Sequence, residues 1–213
     1  MPTVAVVDYG LGNVKSMLSA LGRVGAHAEL CSDPQSLDAY DGIVLPGVGA
    51  FPHGMSVLKK QGWVEPILHY ASSGKPMLGV CLGMQMLLSQ GEEFGLTEGL
   101  NIIPGKVERL RRLEQSDAKL PNIGWRPIYF NEGFASIFQN IDPGVDVYFV
   151  HGYSAMPSNE EATLCSSSFD SGEFCAGVKS GNVYGLQFHP EKSGEVGLQI
   201  LKNFIGVCRD YND

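Results

Sequence analysis

The sequence predicts an α/β fold, with a central, mostly parallel sheet covered by helices on both faces and a β-rich C-terminal half. In residues 1–90, short apolar strands alternate with segments of helical periodicity, which is typical of parallel strands buried on both faces. From Ile103 to Phe188 the pattern changes to short alternating strands, which indicates antiparallel pairing. Because the chain has 213 residues and is 44% hydrophobic, we expect a single domain spanning residues 1–213.

The N-terminal half should begin with a strand at Thr3–Asp8, a β-branched apolar run that ends at a glycine-rich turn. Apolar residues then recur at helical spacing from Val14 to Val24, with Asn13 as a candidate N-cap and Gly25 as the C-terminal stop. Two strands, two helices and a fourth strand are expected next, at His27–Cys31, Gly42–Pro46, Met55–Lys60, Val64–Ser72 and Pro76–Val80.

The C-terminal half should contain six short strands, at Lys106–Leu110, Arg126–Phe130, Val145–Tyr153, Ala162–Ser167, Cys175–Lys179 and Val183–Phe188. A brief helical stretch is expected near Phe134–Asn140. The final segment predicts a helix whose apolar stripe includes Leu198, Leu201, Ile205 and Cys208.

Charge and cysteine content exclude several classes of function. Fifteen Lys and Arg residues against 23 Asp and Glu residues give a net charge of −8, and no basic run is present, so we expect no nucleic-acid partner. The N-terminal residues resemble neither a signal peptide nor a membrane span, so we expect a cytoplasmic protein. The five cysteines form no Cys-x-x-Cys pair, which predicts reduced thiols and no metal.

A Gly-x-Cys-x-Gly motif spans the junction between the fourth strand and an apolar helical segment. Cys81 lies between Gly79 and Gly83, and Leu82 opens the helical segment. Flanking glycines permit the tight turn of a nucleophile elbow, which presents its central side chain at a helix N-terminus. The helix dipole favours a thiolate there, and the Leu82 amide can face an oxyanion. We therefore expect a nucleophile at Cys81; the alternative is a small side chain packed between two glycines.

A base for this nucleophile is expected at His189. His189 follows the strand Val183–Phe188, and Pro190 disfavours helical geometry at the residue before it. Residues two apart in an extended segment face the same way, so Glu191 can orient the imidazole while the other ring nitrogen serves Cys81. The alternative is a structural histidine.

Two glycine-rich loops follow the third and the first strands. Gly47 and Gly49 can present a backbone N–H to an oxyanion, or form an ordinary turn. The loop Gly10–Asn13 is similar to the start of a dinucleotide-binding fingerprint, but Lys15 stands where the third glycine is needed. We therefore expect no dinucleotide site and no other cofactor.

The remaining large polar and aromatic side chains carry weaker signals. Trp125 is either a core residue or an anchor for a partner, since large aromatic residues are enriched at interfaces. The other histidines have no spacing typical of metal ligands and are expected in the core or at the surface: His27, His53, His69 and His151.

Together these residues resemble the class I, triad-type glutamine amidotransferases, in which a Cys-His-Glu triad hydrolyses the side-chain amide of glutamine. Within that class the chain is most similar to the amidotransferase subunits of imidazole glycerol phosphate synthases. This similarity spans the chain and rests on four motifs in order: Asp8–Asn13, Pro46–Phe51, Pro121–Trp125 and Gln187–Ser193.

The resemblance implies a flavodoxin-like amidotransferase fold and a (β/α)8 cyclase partner in a heterodimer. Ammonia released from glutamine would cross the interface, and the partner would make imidazole glycerol phosphate and aminoimidazole carboxamide ribotide in histidine biosynthesis. By motif position, Cys81 is the nucleophile, His189 the general base and acid, and Glu191 its orienting residue. The other implied site residues are Val48, Gly49 and Leu82 at the oxyanion, Gln85 in the glutamine pocket, and Asn13, Trp125 and Lys192 at the interface.

Three alternatives stay open from sequence alone. A cysteine peptidase or γ-glutamyl hydrolase could use the same triad, and a sister amidotransferase could serve another synthase. A nucleotide-binding module without catalysis would follow if His189 lay far from Cys81.

Overall fold

The computed structural model describes residues 1–110, 119–131, 136–170 and 172–211. The helices are α1 Val14–Arg23, α2 Phe51–Lys60, α3 Val64–Ser72, α4 Leu82–Met86 and α5 Gly194–Asp210. The strands are β1 Thr3–Val7, β2 His27–Cys31, β3 Gly42–Gly47, β4 Met77–Cys81, β5 Leu88–Gly91, β6 Thr97–Glu98, β7 Ile103–Arg109, β8 Asn122–Pro127, β9 Asp146–His151, β10 Tyr153–Pro157, β11 Thr163–Phe169, β12 Gly172–Ser180 and β13 Val183–Leu186.

One large sheet organises the described residues, in the order β2-β1-β3-β4-β13-β12-β10-β7-β5-β6, with β11 paired to β12. Pairing is parallel from β2 to β13 and mainly antiparallel beyond it. The strands β8 and β9 form a separate antiparallel ribbon. The predicted α/β fold, with a parallel region and a β-rich second half, is therefore confirmed.

Both faces of the parallel strands are buried, and each face belongs to a different core cluster. In β1, Val4 and Val6 pack in the cluster that includes residues of α1 and α5. Ala5 and Val7 alternate with them and pack in the cluster that includes residues of α2 and α3. Alternating side chains point to opposite faces of a strand, so a wholly apolar strand needs helices on both sides.

Several predicted boundaries were wrong because long-range pairing decides where a strand ends. The segment Val145–Tyr153 is divided at Gly152 into β9 and β10, which belong to different sheets. The strand predicted at Arg126–Phe130 lies earlier, at Asn122–Pro127, because its residues pair in register with β9. The apolar segment after Cys81 forms only the short helix α4 and then continues into β5, which was not predicted, nor was β6.

Local predictions at helix ends also need correction. Asn13 occupies the N-cap position of α1 but its side chain makes no capping hydrogen bond. Of the helical stretch predicted near Phe134–Asn140, Ser136–Phe138 forms a 3₁₀ turn, and residues 132–135 lie outside the described part of the chain. None of the helices in the described ranges combines the length and apolar character that a membrane crossing requires.

Candidate active site

Cys81 lies at a strained turn between β4 and α4. Its backbone has φ 56° and ψ −111°, a conformation that L-residues with a side chain seldom adopt. The motif's glycines allow the chain to fold this tightly: a Cβ at Gly83 would overlap the Leu45 carbonyl oxygen, and one at Gly79 would lie 2.9 Å from the backbone of Gly83. The predicted elbow at Cys81 is therefore confirmed in geometry.

His189 is brought beside this turn because β13 is the parallel neighbour of β4. Leu186 pairs in register with Val80, so the chain that leaves β13 reaches the same edge of the sheet as Cys81. His189 itself is extended, with φ −97° and ψ 98°, as expected before Pro190. Cys81 and His189 line one cavity of about 210 Å³.

Glu191 holds the imidazole of His189 from behind. The Nδ1 atom of His189 donates to Oε1 of Glu191 over 2.8 Å, and both side chains are 2% exposed. The predicted pairing is confirmed, but Glu191 lies in a 3₁₀ turn, Pro190–Lys192, rather than in an extended segment. The hydroxyl of Ser193 donates to the His189 carbonyl over 2.7 Å, which braces this turn.

The surroundings of His189 favour the imidazolium form. Burial of the ring lowers its pKa, but the Cys81 sulfur and the Glu191 carboxylate oppose this more strongly and raise the pKa to about 9. Nε2 is buried and makes no hydrogen bond within the described residues, and the neighbouring Cys81 and Glu191 side chains both favour the protonated ring. A proton can therefore be held on Nε2, facing the cavity.

The residues expected at the oxyanion and in the substrate pocket also line this cavity: Val48, Gly49, Leu82 and Gln85. Gly47 pairs in register with Cys81, which places the loop after β3 beside the nucleophile. Gly49 has φ +105° and open space where a Cβ would be, so backbone conformation rather than crowding requires glycine there. The structure thus brings together the backbone groups that the sequence suggested.

His151 is a cavity residue that the sequence analysis missed. Its Nδ1 atom donates to the Tyr153 carbonyl over 2.8 Å, which leaves Nε2 to accept from the Asn122 side-chain amide over 2.9 Å. Burial lowers its pKa to about 4, against the Tyr153 hydrogen bond, and the positive charges of Arg126 and His189 lower it further. The one signal for it in the sequence is its place at the end of β9, before Gly152.

Three further residues line the cavity: Glu93, Gly152 and Tyr153. Glu93 lines it, and its carboxylate accepts from the backbone N–H of Phe51, the first residue of α2, over 2.8 Å. Gly152 and Tyr153, at the break between β9 and β10, also line the cavity. Sequence reasoning missed these residues because each reaches the cavity through strand pairing rather than through a local motif.

Two of the three expected interface residues lie together. Trp125 is 54% exposed on β8, which excludes the core alternative, and its ring meets Tyr148 edge to face at 6.0 Å between centroids. The ammonium of Lys192 lies 6.0 Å from the centroid of the same Tyr148 ring. Asn13 follows β1, so it lies at the same edge of the parallel sheet as Cys81.

The described residues contain no group of three or more His, Cys, Asp or Glu side chains placed to hold a metal ion. All five cysteines are buried, and none of them forms a disulfide within the described residues. The cavity is lined by the Cys81 thiol, the imidazoles of His151 and His189, and the Glu93 carboxylate, with Glu191 behind His189.

Comparison with known proteins assigns the class. The family described as glutamine amidotransferase class-I matches residues 5–207, so the chain belongs to this family. The chain is 47% identical over 205 residues to the imidazole glycerol phosphate synthase subunit HisH of Syntrophotalea carbinolica, covering 94% of the chain and 98% of that protein. It is 44% identical to HisH 1 of Legionella pneumophila strain Paris, over 97% of the chain and all of that protein.

Solved structures share the fold. A putative GMP synthase subunit from Thermoplasma acidophilum superposes with a TM-score of 0.73 at 22% identity, over 100% of this chain and 96% of that one. The structure of PurLQS from Thermotoga maritima gives a TM-score of 0.74 at 22% identity, over 100% and 99% of the two chains. The expected amidotransferase fold is thus confirmed.

Proposed function

We propose that this chain is the glutaminase subunit of an imidazole glycerol phosphate synthase. It hydrolyses glutamine to glutamate and ammonia and passes the ammonia to a (β/α)8 cyclase subunit in a heterodimer. The observation that carries the proposal is the cavity in which the strained Cys81 meets a buried His189–Glu191 pair. Its relatives named HisH, 42% to 47% identical over nearly the whole chain, support the choice of synthase.

In the first half of the reaction, the Cys81 thiolate attacks the side-chain amide carbon of glutamine. The oxyanion that forms is stabilised by backbone N–H groups of Leu82 and of the Gly49 loop. The His189 imidazolium then gives its Nε2 proton to the leaving nitrogen, so the C–N bond breaks, ammonia departs and a glutamyl thioester remains.

In the second half, His189 is neutral and acts as a base. It takes a proton from water, whose oxygen attacks the thioester carbonyl; the C–S bond breaks, glutamate leaves and the Cys81 thiolate is restored. Glu191 keeps Nδ1 protonated throughout, which leaves Nε2 as the ring atom that exchanges protons.

We place the partner on the face that carries Trp125 and Lys192. Their shared neighbour Tyr148 pairs in register with Trp125 across the β8–β9 ribbon, and the next residues of β9 reach His151 in the cavity. Trp125 is the anchor because a large exposed aromatic side chain loses much apolar area when a partner covers it. Asn13 extends this face along the edge of the sheet.

The triad is tested by labelling with an electrophilic glutamine analogue. We expect the analogue to modify Cys81 alone among the five cysteines, and Cys81→Ala to lower the glutaminase rate of the complex by about 10⁴-fold or more. Cys165→Ala, a buried cysteine of β11 outside the cavity, is the matched control and should keep the activity. Labelling elsewhere, with an active Cys81→Ala variant, would overturn the assignment.

The interface is tested by titrating the chain with the cyclase subunit. Trp125→Ala should raise the Kd by about 30-fold, as for a central aromatic anchor. Tyr211→Ala is the control, because Tyr211 is 40% exposed and contacts Ser73 ahead of β4, at the opposite edge of the sheet. Equal affinity for wild type and Trp125→Ala would remove Trp125 from the interface, and failure to bind this cyclase would favour another synthase.

A further inference from the structure

Two buried glutamines link the cavity wall to the Cys81 sulfur. The side-chain amide nitrogen of Gln85 lies 3.1 Å from the Tyr153 carbonyl oxygen and 3.0 Å from Oε1 of Gln187. Nε2 of Gln187 lies 3.9 Å from Sγ of Cys81. Gln85 is 6% exposed and Gln187 is fully buried, so neither amide exchanges these bonds for water.

The direction of each bond follows from the first acceptor. A carbonyl oxygen can only accept, so the Gln85 atom that faces Tyr153 must be its NH₂ group. The same NH₂ group therefore also donates to Gln187, which must present its oxygen. Once Oε1 of Gln187 faces Gln85, its NH₂ group is left facing the sulfur of Cys81. The usual ambiguity of amide orientation is thus removed by the network.

We propose that Gln187 is a further catalytic residue that donates an N–H to the Cys81 sulfur, and that Gln85 is the positioning residue that aims it. This inference rests on the proposed function, because it takes Cys81 as the nucleophile. An amide donor stabilises the thiolate over the thiol, since hydrogen bonds to charged acceptors are the stronger ones.

The sulfur has two neighbours suited to its two protonation states. As a thiol, Cys81 can donate its proton to the Val150 carbonyl oxygen, 3.8 Å away. As a thiolate it can only accept, and the NH₂ group of Gln187 is a donor within reach. When the thioester forms, the sulfur loses its negative charge and this hydrogen bond weakens. Gln187 therefore acts on the resting thiolate and on its return as a leaving group.

Other groups around the sulfur also influence its ionisation and stay unchanged in the test. The imidazole of His189 attracts the thiolate, whereas the buried Tyr9, whose hydroxyl donates to the Pro46 carbonyl, is held neutral by a raised pKa. The titratable groups facing Cys81 from its neighbouring elements are Tyr9 after β1, Glu93 after β5, His151 in β9, and His189 with Glu191 after β13.

The test measures alkylation of Cys81 by iodoacetamide in the complex with the cyclase subunit, as a function of pH. The fraction alkylated is read from the Cys81 peptide by mass spectrometry. Gln187→Met keeps the length of the side chain and removes the donor. We expect the midpoint of its pH profile to rise by about one unit, and its alkylation rate at pH values well below the wild-type midpoint to fall about tenfold.

The positioning role of Gln85 predicts a related but different result. Gln85→Met releases the Gln187 amide, so the pH midpoint should move in the same direction by a smaller amount. Because Gln85 also lines the cavity, its KM for glutamine should rise, whereas Gln187→Met should change mainly kcat. Gln199→Met is the matched control: Gln199 lies on α5 and donates to Asn203, so its profile should match wild type.

The outcomes separate this inference from the proposed function. A wild-type pH profile in a folded Gln187→Met variant would overturn the role of Gln187 and leave the triad intact. Retained glutaminase activity in Cys81→Ala would overturn both. If thermal melting shows that Gln187→Met is unfolded, NMR of the wild-type protein supplies the test. The side-chain amide resonances of Gln187 should shift when Cys81 is alkylated. An unchanged frequency would contradict the hydrogen bond.

Discussion

Two buried histidines line the cavity, and their surroundings shift their pKa values in opposite directions. The pKa of His189 is raised to about 9, whereas the pKa of His151 is lowered to about 4. Both rings are buried, and burial disfavours the imidazolium at both sites. The difference comes from the partners, because His189 has a carboxylate and a thiol, whereas His151 has a carbonyl and an amide.

The charge of the hydrogen-bond partner therefore assigns the role of each buried histidine. Both ring nitrogens of His151 make hydrogen bonds, one as donor and one as acceptor, so the ring is neutral where it lines the cavity. His189 has only Nδ1 occupied within the described residues, so its Nε2 can exchange a proton with a substrate. Carboxylate pairing and one open nitrogen are what an acid–base residue needs.

The largest expected effect comes from removing the carboxylate behind His189. Glu191→Gln should lower the pKa of His189, because the ring loses its charged partner, and lower kcat of the complex by about 10²-fold to 10⁴-fold. Ring-nitrogen NMR and glutaminase assays measure the two changes. If kcat fell without any change in the His189 pKa, the charge of Glu191 would not be the cause.

The next effect concerns the pH dependence of stability. A raised pKa in the folded state means that the contribution of His189 is complete below the unfolded pKa of 6.5 and is lost as pH rises through about 9. His151, with a lowered pKa, contributes stability above 6.5 that is lost as pH falls towards about 4. Each histidine should change the free energy of unfolding by a few kcal/mol across its pH range.

Denaturant unfolding at several pH values checks this prediction. His189→Gln should flatten the alkaline side of the stability profile, and His151→Gln should flatten the acidic side. The two variants serve as controls for each other, because each should leave the opposite side unchanged. A variant that flattened both sides would show that the two rings titrate as one unit.

The smallest effect tests whether a carboxylate partner raises the pKa of His151, as Glu191 does for His189. Asn122→Asp places a carboxylate at Nε2 of His151, so the pKa of His151 should rise. The His151 imidazolium should then repel the His189 imidazolium, an effect that the new carboxylate partly offsets, and lower kcat by about threefold. Asn101→Asp, at a side chain that accepts from the Ser89 hydroxyl, adds the same charge elsewhere and should leave kcat unchanged. An unchanged His151 pKa in Asn122→Asp would contradict the comparison.

Features that depend on residues close together in the sequence were predictable. The elbow at Cys81 was visible because Gly79 and Gly83 bracket it, and the pairing of His189 with Glu191 was visible from their spacing beside Pro190. The alternation of apolar strands with helices predicted the parallel region for the same reason. In each case the physical constraint acts over a few residues of chain.

The α/β class, the nucleophile candidate and the imidazole–carboxylate pair could be predicted from sequence, because local backbone geometry and periodicity encode them. The position of β13 beside β4, which brings His189 to Cys81, follows only from the folded sheet. Strand pairing also divides β9 from β10 at Gly152, makes His151 a cavity residue and places Gln187 beside the Cys81 sulfur. These depend on pairing between strands far apart in the chain, which no local pattern specifies.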